Sequence, residues 1–359
     1  MSDGSKIEWT DATWNPITGC SVVSAGCKHC YAMRLAGTRL RHHPSRAGLT
    51  RPTSAGPVWT GEVRLNEDWL DQPLRWRKPR RIFVCAHGDL FHESVPDEWI
   101  ARVWAVMNRS PRHQFQLLTK RPKRAHMWLS RCADGGGLGW ITHDGTPPSR
   151  AYDGTGMIVG SANRWPLPNV WLGVSVEDQA AADERIPLLL QTPAAVRFVS
   201  AEPLLGAVDV SDELQRKCGH CDEPIALCKG GRDIYNGARC CVLCEHDVGI
   251  DWVIAGGESG PNARPSHPDW FRSLRDQCQA ANVPYFFKQW GGWVDADSGP
   301  DNDSAYVGVA GCWVHLHGGS HSGSMGVDFP GMHPMYRVGK KNAGRLLDGR
   351  EWNQYPSGA

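Results

Sequence analysis

The chain has 359 residues, 41% of them hydrophobic, and its 39 Lys and Arg nearly balance 38 Asp and Glu. That length allows one large α/β domain or two ordinary ones, and the absence of an apolar run of about 18 residues excludes a helical membrane span. The opening Met1-Ser2-Asp3-Gly4-Ser5-Lys6 lacks an apolar secretory segment. A cytoplasmic location is therefore expected, and there the 13 cysteines are more plausibly metal ligands or buried thiols than disulfides.

Ile7 to Asn15 reads as a short strand that Asn15-Pro16 ends. Gly19 to Tyr31 follows, with Cys20, Cys27 and Cys30 spaced C-x6-C-x2-C. Glycines stand just before Cys20 and Cys27 and allow a loop to turn tightly around a small object. Three converging thiolates repel unless a metal centre neutralises them, and soft sulfur suits zinc, copper(I) or iron–sulfur clusters. The next cysteine, Cys85, is far along the chain, so three ligands imply one open position. Buried apolar thiols, a Cys27–Cys30 redox dithiol and a zinc site completed by His29 are the competing readings.

Ala32 to Leu40 reads as a helix, and the polar segment Arg41 to Pro57 as a loop. From there a unit recurs: an apolar run, a polar cluster, a helical stretch. Ile82 to Ala86 leads into Gly88-Asp89, then a helix from Pro96 to Asn108. Phe115 to Leu118 leads into Thr119-Lys120-Arg121-Pro122, and Val170 to Val174 into Ser175-Val176-Glu177. Ala180 to Leu190 reads as helix, and Val196 to Val199 leads into Glu202-Pro203. Trp252 to Ala255 leads into Gly256-Gly257-Glu258, then a helix from about Pro268 to Ala281, and Tyr285 to Phe287 leads into Lys288.

Continuous apolar runs alternating with helices predict a parallel sheet. The polar clusters all fall at the C-terminal ends of the strands, where a β/α barrel builds its site. Six or seven units predict an α/β fold, a complete or partial TIM-like barrel; a doubly wound open sheet is the alternative. Residues 1–210 and 251–359 would form its two parts, around an insertion at 211–250. Arg131 to Asn169 reads as a loop insertion, and the Gly-, Ser- and His-rich Gly291 to Gly331 as a lid.

That insertion carries Cys218-Gly219-His220-Cys221 and Cys241-Val242-Leu243-Cys244, two C-x2-C knuckles with 19 residues between them. The spacing is that of a zinc ribbon, which predicts structural zinc on Cys218, Cys221, Cys241 and Cys244; a second iron–sulfur cluster is the alternative.

Charge is unevenly placed. Residues 1–131 hold 21 Lys and Arg against 11 Asp and Glu, and the remainder holds 18 against 27. Blocks such as Arg75-Trp76-Arg77-Lys78-Pro79-Arg80-Arg81 suit a phosphate-binding surface, or a face that pairs with the acidic half. DNA, RNA or a nucleotide is the partner expected.

With these segments assembled, the chain resembles uncharacterised bacteriophage and prophage proteins related to radical S-adenosylmethionine (SAM) enzymes. The matching segments include Trp9 to Pro16, Asp89-Leu90-Phe91-His92, Leu118 to Pro122, Leu172 to Glu177, Glu202 to Gly206, Gly256 to Gly260, Lys288 to Gly291 and the tail Gly339 to Gly349. Radical SAM enzymes usually carry C-x3-C-x2-C with an aromatic before the third cysteine; here the first gap is six and His29 stands there.

The resemblance implies a barrel of the radical SAM type and a [4Fe–4S] cluster on Cys20, Cys27 and Cys30. SAM would occupy the open iron, and an electron donor such as flavodoxin or ferredoxin would serve it. Gly88 and Asp89 would meet the SAM amino group, and Ser175 and Glu177 its ribose. Lys120, Glu202, Glu258 and Lys288 are candidates for carboxylate, substrate or proton-transfer contacts. A phage origin would place the protein in the host cell cytoplasm. The function expected is radical chemistry on a nucleic acid base or nucleotide. The alternatives are a non-enzymatic zinc protein that binds nucleic acid, and a radical SAM enzyme acting on a peptide or metabolite.

Overall fold

A computed structural model describes residues 4–133, 165–215, 217–218, 232–235, 238–241, 247–295, 311–321 and 332–357. Its centre is a sheet of seven strands: β1 (Ala12–Trp14), β2 (Arg81–Val84), β3 (Gln114–Thr119), β4 (Val170–Ser175), β5 (Val196–Ala201), β6 (Trp252–Gly256) and β7 (Tyr285–Gln289). Every neighbouring pair is parallel, and the strands lie side by side in chain order. The sheet curls into a half-barrel, compatible with a partial TIM-like barrel. A doubly wound sheet reverses its strand order at a switch point. This one does not, so one face collects the helices and the other becomes a concave interior.

Successive side chains on a strand point to opposite faces. On β4, Val170, Leu172 and Val174 join the core under the helices, while Trp171 joins the interior. On β6, Val253 and Ala255 go outward and Trp252 and Ile254 inward. On β7, Tyr285 and Phe287 face the helices and Phe286 the interior. The interior is a small aromatic cluster of Trp9, Phe83, Trp171, Phe198, Trp252 and Phe286. Gly173 keeps it packed, since a Cβ there would lie 2.5 Å from the Phe198 ring.

Helix α1 (Tyr31–Gly37) packs against Leu49 and Trp59, and the outer layer is made by α2 (Asp97–Asn108), α3 (Pro122–Ala133), α4 (Gln179–Leu190) and α5 (Pro268–Ala280). Helix α2 buries Ile100, Val103, Trp104 and Met107. Asp97 and Glu98 in its first turn complement the helix dipole. Helix α4 starts where Asp178 accepts the Ala181 N–H at 2.9 Å. Among the described residues no helix is long and apolar enough to cross a membrane.

The N-terminal edge of the half-barrel is plugged by the chain's last described stretch. Phe287 N–H donates to Trp352 O at 2.9 Å, and Trp252 Nε1 donates to Gln354 O at 2.9 Å. The Tyr355 ring lies 4.2 Å from the Arg81 guanidinium, and its hydroxyl reaches Glu8 O at 3.5 Å.

Several expectations are corrected. The first strand is only Ala12–Trp14; Trp9 instead turns inward, 4.8 Å from the Phe83 ring. Helix α1 stops at Gly37, packed so closely that a Cβ would lie 2.1 Å from Pro57 Cβ. The expected loop at 41–57 contains a hairpin strand, Thr50–Thr53, paired with Gly56–Trp59. Within the expected lid, Trp293–Asp295, Gly311–His315 and Ser320–His321 are strands. They form a four-stranded antiparallel sheet with Met332–Arg337. Most of the 131–169 insertion lies outside the described residues. So does the zinc-ribbon expectation: Cys221 and Cys244 are not described, and Cys218 and Cys241 only as backbone in short strands.

Candidate functional site

The inward parity of the strands, continued past their C-terminal ends, places Lys120, Ser175, Glu202, Glu258 and Lys288 around one opening. A cavity of about 630 Å³ lies there, and each of these residues lines it. Trp9, Phe83 and Leu118 belong to the same lining, so its wall is aromatic as well as charged.

Cys20, Cys27 and Cys30 also line this cavity, together with Gly88 and Asp89. Their loop is held by short local structure and by distant anchors. Gly19 takes φ +98°, and a Cβ there would lie 2.1 Å from Glu62 O, so only glycine fits. Gly19 N–H donates to His87 O at 3.1 Å, and Gly19 bridges Gly88. A 3₁₀ turn, Ala25–Cys27, then presents Cys27, and Cys30 caps α1. Tyr31 Oη donates to Ala86 O at 2.6 Å.

Burial pushes the Cys20 thiol up to about 12, Asp89 and Cys30 add to the rise, and the Arg121 guanidinium opposes it. Burial also raises Cys30, against the backbone N–H groups of Met33 and Ala32. Both thiols must lose protons to bind a metal. Arg121 Nη1 lies 3.6 Å from Cys20 Sγ, a cation ready to meet that charge. Among the described residues, no group of three or more His, Cys, Asp or Glu side chains stands arranged to hold a metal ion.

The carboxylates divide by position. Asp89 accepts from Phe91 N–H, Thr119 Oγ1, Lys120 N–H and Arg121 Nη1 at 2.8–3.1 Å, so it ties the end of β2 to the end of β3. Glu177 lies behind the cavity wall and accepts from Gly26 N–H, Lys120 Nζ and Arg185 Nη1. Burial alone would raise its carboxyl, but Lys120, Ser24 and Arg185 hold it below the usual range. Glu258 accepts from Arg264, at 2.6 Å from Nη2, and lies 3.0 Å from His29 Nδ1. Burial opposes ionisation there too, and Arg264 and His29 lower the carboxyl overall. Lys288 pairs with Glu202.

Of the sequence-predicted residues whose side chains are described, all but Glu177 line the cavity. The sequence reading missed Arg121 and Arg264, whose partners lie on other segments or loops, and Arg34, which follows Cys30 by one helical turn. It also set Cys85 aside for its distance in the chain, yet Cys85 lines the same cavity.

No curated protein and no solved structure matches the chain. One family model, described as "Protein of unknown function (DUF5131)", matches residues 4–356, and the chain belongs to that family.

Proposed function

We propose that this chain is a radical SAM enzyme that holds a [4Fe–4S] cluster on Cys20, Cys27 and Cys30 and acts on a nucleic acid base or nucleotide. The observation that carries this reading is convergence: three thiols from one short loop line a single cavity at the C-terminal edge of a parallel half-barrel. The donor set suits a cluster, being all sulfur and partly buried, with the Arg121 guanidinium beside Cys20. When bound, the cluster supplies the electron that cleaves the SAM sulfonium and starts radical chemistry on the substrate.

The chain's own residues bind, orient and exclude water. Gly88 and Asp89 are the proposed contacts of the cofactor's amino group, Asp89 with its carboxylate already fixed in place by Arg121 and Thr119. Ser175 is the proposed ribose contact. Glu177 acts at one remove, holding the cysteine loop through Gly26. Lys120 and Lys288 offer cations to a carboxylate or phosphate. Lys288 Nζ donates to Glu202 Oε1 and fixes that carboxylate at the cavity edge. Trp9, Phe83 and Leu118 keep water from the floor. The cysteines at 218, 221, 241 and 244 are proposed to hold structural zinc on the strength of their spacing, and a flavodoxin or ferredoxin is the proposed electron donor.

Anaerobic reconstitution tests the reading. Iron and sulfide should bind at about four per chain, and the electron paramagnetic resonance signal of the reduced cluster should change on adding SAM. A signal indifferent to SAM would count against it.

Cys85 supports a second reading. A fourth thiol in the same cavity permits a closed zinc site, and the protein would then be a non-enzymatic nucleic-acid binder. Metal analysis separates the two, since that reading predicts zinc at this site and no iron or sulfide.

A further inference from the structure

The cavity carries six cationic side chains against three carboxylates, although the whole chain is nearly neutral. Lys120, Arg121 and Lys288 are paired within the protein. Arg34 and Lys6 line the mouth, are exposed, and have no carboxylate partner among the described residues. The mouth therefore favours an anion.

Deeper in, Gln289 lines the cavity with only 4% of its surface exposed, and its Oε1 is buried with no hydrogen-bond partner among the described residues. Trp9 Nε1, on the same lining, is likewise buried and unpartnered among the described residues. Buried polar atoms without partners are rare and costly, and a ligand that satisfies them regains that cost. An amide is the side chain that reads a base edge with paired donor and acceptor.

We propose that Gln289 is the specificity residue of this cavity. It would read the hydrogen-bonding edge of a nucleotide's base, while Arg34 and Lys6 take the phosphate. This rests on the nucleotide-directed part of the function proposed above and names the residue that selects the base.

Titration calorimetry on the full-length reconstituted protein tests it, with AMP, GMP, CMP, UMP and ribose 5-phosphate as probes, each with and without saturating SAM. At least one nucleotide should bind about tenfold or more tighter than ribose 5-phosphate and than the least favoured base. Gln289→Leu should erase that preference while leaving ribose 5-phosphate binding unchanged, and Gln289→Asn should restore part of it. Arg34→Ala should weaken every probe alike, ribose 5-phosphate included. Base-blind binding by the unaltered protein, or a preference that survives Gln289→Leu, overturns the proposal. So does loss of all nucleotide binding to SAM, which would make this the cofactor's own site. Iron content and the resonance signal of the same samples report separately on the redox reading, so either idea can fail alone.

Discussion

Glu177, two residues past the end of β4, accepts the backbone N–H of Gly26 at 3.3 Å, although 151 residues separate them. That one carboxylate, 1% exposed, also neutralises Lys120 and Arg185. It joins the cysteine loop to the rigid part of the sheet. Glu177→Gln leaves two cations at a buried site without their counter-charge. The expected loss is about 3–5 kcal/mol, read from the urea midpoint.

The same carboxyl gives a pH dependence. Its folded pKa lies below the ordinary value, so its stabilisation is fully present above the unfolded value of about 4.3 and fades as pH falls through the folded one. The unaltered protein should lose stability below about pH 4.5, more steeply than Glu177→Gln. Denaturant melts between pH 3 and 7 check this, and parallel curves for the two proteins would contradict it.

Arg121 and Asp89 form the other buried pair at the loop, 3.0 Å apart and both at least nine-tenths buried. Arg121→Met should cost about 3–5 kcal/mol, because it removes the buried counter-charge of Asp89. Adding Asp89→Asn should recover part of that loss. A double-mutant cycle by chemical denaturation measures the coupling.

Gly173 sets the packing of the interior. Gly173→Ala drives a methyl into the Phe198 ring and should destabilise by about 1–3 kcal/mol. Phe198→Leu in the same chain should relieve some of the strain, which thermal melting of the single and double variants will show.

The cysteines separate the two functional readings. Serine at Cys20, Cys27 or Cys30 should abolish iron retention after reconstitution, whereas Cys85→Ser should leave it intact. If zinc occupies the site, all four substitutions should release it, and the metal-to-protein ratio of each variant distinguishes the cases.

The strands were legible because they are largely buried on both faces and read as apolar runs such as Val170 to Val174, broken only at single positions such as Gln116 and Arg197. Their C-terminal polar residues followed directly, and most of them line the cavity. Trp9 misled because its apolar neighbours look like strand, while tertiary packing draws the ring inward. Pairings such as Arg121 with Asp89, or Gly26 with Glu177, left no local trace, since their partners meet only after the sheet forms. Gln289 sits beside Lys288 in the sequence, and only the structure shows that its carbonyl oxygen lacks a partner among the described residues. Cys85 was hidden by the strands' side-by-side order, which returns the end of β2 to the loop after β1.

The stretch from Trp352 to Tyr355 lies against the first residues of β2, β6 and β7 and touches Glu8. On a ribosome, the segments it covers emerge well before it does. Until it arrives, the ring of tryptophans and phenylalanines is wetted from below, and nascent chains should depend on chaperones to stay unaggregated during that interval.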